Sequence, residues 1–168
     1  AVALLQRNNT QRYPLKLETR KRVPNEPYAP FLPSNSDQLE FWNGIGGYDK
    51  KTKEYVIYSG KDSHPPRPWS NIVANERIGF LATDRGMSFT WTRNSYDNKL
   101  TVPYNEPLAE FCGEAIYVRD DKTGVHVSPL PMLGIENAPQ EVRFGERHCT
   151  YVTHALGIQI ELSMYTEI

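Results

Sequence analysis

Six consecutive residues, Arg93-Asn94-Ser95-Tyr96-Asp97-Asn98, bring together a guanidinium, two amides, a hydroxyl, a phenol and a carboxylate. Such a set donates and accepts hydrogen bonds with hydroxyl groups, and an aromatic ring beside it offers a flat face to the C–H side of a sugar. Carbohydrate binding is the chemistry these types allow. Arg93, Asn94, Tyr96 and Asp97 are the candidate contacts, with Trp69 at the margin of the site. Trp42, Trp91 and Tyr104 are further aromatic candidates, although Trp91 sits on the apolar side of an alternating strand and fits core packing better.

The other reactive pairs fit structural roles. His148 and Cys149 are neighbours on a strand and point to opposite faces, so a packed thiol and a surface imidazole are expected rather than a catalytic pair. His64, His126 and His154 lack ligand spacing, and no metal is expected. Asp120-Asp121 suits a turn, where carboxylates accept from backbone N–H groups. A hydrolytic carboxylate pair must instead flank a substrate at fixed separation, and no such pair is evident. No catalytic residue and no cofactor are therefore expected. Asn43-Gly44-Ile45-Gly46-Gly47 has no following helix to present to a phosphate, so its glycines point to a bulge or a close strand contact. Pro65-Pro66-Arg67-Pro68 reads as a stiff lead-in to a strand.

These groups need a scaffold, and the pattern predicts strands. Met87, Phe89 and Trp91 alternate with Ser88, Thr90 and Thr92 after a tight Asp84-Arg85-Gly86 turn. Glu114 to Arg119 and His126 to Ser128 flank Asp120 to Gly124, a hairpin in which Gly124 supplies a positive φ. Cys149 to His154 and Ile158 to Tyr165 form a last hairpin across Ala155-Leu156-Gly157. In its second strand Ile158, Ile160, Leu162 and Met164 share one face, opposed by Gln159, Glu161 and Ser163. No stretch of twelve residues shows a helical period. The fold expected is all-β, an antiparallel β-sandwich of about eight to ten strands over residues 39–168. The chain stops at Ile168 without a closing turn, which implies an edge strand and a truncated, incomplete sandwich.

Residues 1–38 are different: five prolines and no period make them an arm or linker. That arm holds six Lys/Arg against three acids, whereas the rest holds thirteen against seventeen. A total formal charge of -1 argues against nucleic-acid binding. Two cysteines, Cys112 and Cys149, make no disulfide framework and suit a reducing, cytoplasmic compartment. No apolar run is long enough to form a membrane segment. The chain lacks an initiating Met, so it is expected to be processed or cut from something longer.

Several segments carry a resemblance in their order and density. They are Asn43 to Tyr48 with Lys53 to Ile57, Pro66 to Asn75, Gly79-Phe80, Ser88 to Trp91, Asn94 to Leu100, Asn105 to Pro107, Gly113 to Asp120 and Arg143 to Gly145. Over residues 39–165 the chain resembles the N-terminal domain of glycoside hydrolase family 94, formerly glycosyltransferase family 36. The Asn94 to Leu100 loop is more similar to the cyclic β-1,2-glucan synthase and β-1,2-oligoglucan phosphorylase branch. The resemblance implies a galactose-mutarotase-like supersandwich that packs on a helical (α/α)6 barrel, helps build a homodimer and lends loops to a substrate pocket for β-glucan oligosaccharides. The general-acid Asp and the phosphate site of the implied glycoside phosphorylase belong to the barrel. This chain is then expected to be a non-catalytic part of a β-glucan-active enzyme; the alternative is a stand-alone carbohydrate-binding or assembly module. Self-association is expected through the strand Ile158 to Tyr165.

Overall fold

The computed structural model describes residues 38–60, 64–103, 113–133 and 140–167. Most of the basic arm, Tyr104, Asn105 to Pro107 and Cys112 lie outside the described residues. Within them are ten strands: β1 (Gly46–Asp49), β2 (Glu54–Ser59), β3 (Ser70–Ala74), β4 (Ile78–Thr83), β5 (Gly86–Thr92), β6 (Val118–Arg119), β7 (His126–Val127), β8 (Gln140–Phe144), β9 (His148–Ala155) and β10 (Ile158–Tyr165). One 3-10 turn at Pro131–Leu133 precedes β8. The pairing is antiparallel throughout, so the all-β expectation holds.

Five strands form one sheet in the order β1-β2-β8-β9-β10, and β3-β4-β5 form a second. Their facing sides make the core. Ile57, Val142, Cys149 and Tyr151 from the larger sheet meet Val73, Phe80 and Ala82 from the smaller, and the loop residue Leu130 joins the same cluster. The period-2 pattern of each strand sends these residues inward. Polar contacts also tie the layers together: the buried Tyr151 phenol donates to Thr83 O at 2.7 Å, Asn71 Nδ2 donates to Gly145 O at 3.0 Å and to His148 O at 3.3 Å, and Asn75 Nδ2 donates to Glu167 O. Satisfying these groups matters because an unpaired buried donor costs about 1–3 kcal/mol.

The turns follow their sequences. Asn43 Oδ1 accepts from the backbone N of Ile45 and Gly46. A Cβ on Gly46 would stand 2.7 Å from Val56 O, which is the close strand contact expected of that glycine run. Asp120 accepts from Lys122 N and from the Thr123 hydroxyl, and Gly124 has φ 74, as the hairpin requires. These bonds hold the exposed Asp120 carboxyl below its ordinary value, the Thr123 hydroxyl first among them. The strands there are shorter than expected, two residues each, because only Val118 and Arg119 pair with Val127 and His126. Pro65 is fully buried ahead of β3, in keeping with a rigid lead-in.

The pairing of β5 is not uniform. Between Leu81 and Ala82 the register shifts, so Leu81 pairs with Phe89 and Ala82 with Met87. The backbones of Met87 and Phe89 thus pair with adjacent residues of β4, so the strand carries one extra residue relative to its partner. Trp91 is buried as expected, but over Gly79 and beside Phe89, on the side away from Phe80. Glycine at 79 is what makes room, since a Cβ there would stand 2.5 Å from the indole.

Candidate functional site

The outer face of the larger sheet brings together a set of ionisable side chains from β2, β8, β9 and β10. Alternation in β9 sends Cys149 and Tyr151 inward and His148 and Thr150 outward. Pairing then lays Arg143 of β8 and Ser163 of β10 beside Thr150, and Glu141 and Glu161 beside Val152. Val56 and Tyr58 of β2 continue the face next to Arg143 and Glu141.

Glu54 opens β2 just after Lys53, whose φ of 60 turns the chain back from β1. It lies beyond the end of β8, where the Gly145 to His148 hairpin closes with Gly145 N donating to His148 O at 3.0 Å. The His148 ring crosses this hairpin and places Nε2 2.6 Å from Glu54 Oε1. Glu54 keeps only 10% of its side chain exposed, against 38% for His148. A carboxylate so buried requires a partner, and the imidazole is that partner.

A second pair stands beside it. Arg143 Nε bonds Glu141 Oε1 along the same strand. Burial acts against the guanidinium's charge, but Glu141, Glu54 and Glu161 outweigh it and raise its pKa further. The Tyr58 phenol is pushed up to about 12, first by burial and then by the charge and hydrogen bond of Glu141. Across the sheet, Thr150 Oγ1 and Ser163 Oγ share a hydrogen bond of 3.0 Å.

Between these groups runs an open groove of about 530 Å³, lined by Glu54, Arg143, Arg147, His148, Glu161 and Ser163, and by Tyr165, which pairs with His148. Its carboxylates and guanidiniums balance, and hydroxyls fill the space between them. Such a surface can hold a neutral ligand rich in hydroxyl groups. Among the described residues no group of three or more His, Cys, Asp or Glu is arranged to bind a metal.

The residues first singled out occupy the other sheet and do not converge. Trp69 is half-buried against the core, edge-on to Tyr55 at 5.8 Å, and its backbone pairs with Asp84 at the β4–β5 turn. Arg93 to Asp97 follow the opposite end of β5, about 20 Å away along a seven-residue strand. All four of the loop candidates are exposed. Asn94 Oδ1 is committed to the turn, accepting from Tyr96 N and Asp97 N. Tyr96 is 82% exposed, with Lys99 Nζ 5.0 Å from its ring centre. The groove escaped the sequence reading because its members are far apart in the chain. In the sequence Glu161 and Ser163 stand only on the polar side of a strand and Tyr165 only at its end, and that alternation is the one available signal.

Comparison with known proteins bears on the same stretch of chain. The family described as glycosyl hydrolase 94, supersandwich domain, matches residues 53–167. The cyclic beta-(1,2)-glucan synthase NdvB of Rhizobium meliloti (strain 1021) is 35% identical over 126 residues, 75% of this chain and 4% of the synthase. The cytidine monophosphate-N-acetylneuraminic acid hydroxylase of Mus musculus is 28% identical over 123 residues, 67% of this chain and 21% of the hydroxylase. The chain thus spans a small part of both relatives.

Proposed function

The chain belongs to the glycosyl hydrolase 94 supersandwich-domain family, and from that premise we propose that it is the non-catalytic sandwich of an enzyme acting on β-glucan. The observation that carries this reading is its 35% identity to a cyclic glucan synthase of which it matches only 4%. A segment of that size is one module, and the reacting groups belong to another. The family resemblance supplies a helical barrel for that role, with the sandwich supporting its substrate pocket and a homodimer contact. Of the two edge strands, β1 is capped by Glu40 and Asn43, whose backbones bond Tyr48 and Gly46, so β10 is the edge that supports such contacts. The buried, uncrosslinked Cys149 supports a reducing, cytoplasmic setting.

The test is direct. The isolated chain is incubated with sophorose, longer β-1,2-glucans or cellobiose in phosphate. No glucose-1-phosphate above a blank is expected, because acid catalysis and charge stabilisation need groups assembled at the reacting bond. Release above the blank would overturn the assignment.

A stand-alone carbohydrate-binding module is the second reading, favoured by the exposure of Arg93, Asn94, Tyr96 and Asp97. In that case glucan binding is lost in Tyr96→Ala.

A further inference from the structure

We propose that the groove on the outer face of the five-stranded sheet is a binding site for a neutral carbohydrate chain. Glu54 and Glu161 accept its hydroxyl hydrogens, Arg143 and Arg147 donate to its oxygens, and the Tyr165 ring backs a sugar beside His148. The identification of that chain as β-glucan rests on the function proposed above; the site itself rests on geometry.

Three observations select this ligand class. First, the walls carry opposite charges at close quarters: Arg143 lies within the influence of Glu54, Glu141 and Glu161. An anion entering the groove meets the glutamates and a cation meets the arginines, whereas a hydroxyl can donate to one and accept from the other. Second, Glu54 is nine-tenths buried yet lines the groove, and His148 engages its Oε1. Its second oxygen, Oε2, is then available to accept from a ligand. Third, the Thr150 and Ser163 hydroxyls pair with each other at 3.0 Å in the groove. Each can reorient to donate or accept at little cost, which suits a hydroxylated guest. The volume, about 530 Å³, falls within the range of about 300–1,000 Å³ usual for ligand sites.

The site is separate from the Arg93 to Asp97 loop, which follows β5 in the other sheet. The two can therefore be distinguished by substitution. Glu161 and Tyr165 have exposed side chains on the edge strand β10, so Glu161→Gln and Tyr165→Ala leave the core intact. The 168-residue chain and these variants, with Tyr96→Ala as a third, are titrated by calorimetry and by NMR amide shifts. The ligands are a linear β-1,2-glucan oligosaccharide, cellotetraose and glucose-6-phosphate.

The expected result is millimolar binding of the β-1,2-glucan, weakened about tenfold in Glu161→Gln and in Tyr165→Ala and unchanged in Tyr96→Ala. Cellotetraose binding with the same sensitivity, and no β-1,2-glucan binding, would uphold the groove and overturn the β-1,2-glucan assignment instead. No oligosaccharide binding at any accessible concentration would overturn the groove. So would binding abolished by Tyr96→Ala alone, and so would tighter binding of glucose-6-phosphate than of either neutral chain.

Discussion

The imidazole of His148 rests on Gly145: a Cβ at position 145 would stand 2.2 Å from His148 Cε1 and 2.7 Å from Nε2, the nitrogen that holds Glu54. Gly145 is needed for space, and that space is what lets a residue of β9 reach the first residue of β2 past the end of β8.

Gly145→Ala is accordingly expected to displace the ring, break the contact with Glu54 and destabilise the protein by about 1–3 kcal/mol, since a buried carboxylate loses its partner. Urea denaturation measures this loss. In a His148→Ala background the same substitution should cost much less, because the ring it strikes is gone. Equal costs in the two backgrounds would contradict the contact.

The β9–β10 turn places Leu156 at φ 55 and Gly157 at φ 73, a two-residue turn of the I′ kind in which the first position suits Asn or Gly. Leucine is strained there. Leu156→Asn is expected to raise stability by about 0.5–1 kcal/mol, read as a higher urea midpoint with an unchanged slope.

On β10 the two faces should respond differently. Leu162 packs against the core and pairs with Tyr151, so Leu162→Lys should cost about 2–3 kcal/mol. Glu161→Gln, on the outer face, should change stability by less than about 0.5 kcal/mol. Comparable losses from both changes would contradict the facing.

Burial raises the Cys149 thiol from 9.0 to about 12, with a weaker opposing hydrogen bond from Tyr151. The folded state therefore holds this proton where the unfolded chain has released it. Stability should be unaffected by this thiol below pH 9 and should fall as pH rises from about 9 to about 12. Denaturation midpoints across that window should decline less steeply in Cys149→Ala, with Tyr58 accounting for part of what remains.

Much of the scaffold was legible locally. Alternation gave the two faces of β10, and Asp120 with Gly124 gave a turn whose hydrogen bonds the structure contains. The register shift in β4–β5 was not legible, because a bulge is a property of the strand pair and the alternation within one strand does not reveal it. The candidate loop was legible as polar and exposed, but Asn94 serves the turn itself. The groove was not legible, since Glu54 and His148 lie 94 positions apart and meet only through the order β2-β8-β9.

Strand β9 supplies the core with Cys149 and Tyr151 and the groove with His148 and Thr150. Six of its eight residues are buried, including Thr150 and Val152 on the outer side. Neither side of this strand is free to drift, so a library randomised over His148–Ala155 should return the fewest folded members of any strand. The outer positions of β10 face solvent or the groove mouth and tolerate exchange. Variation that retunes the ligand without endangering the fold therefore has its natural address in β10.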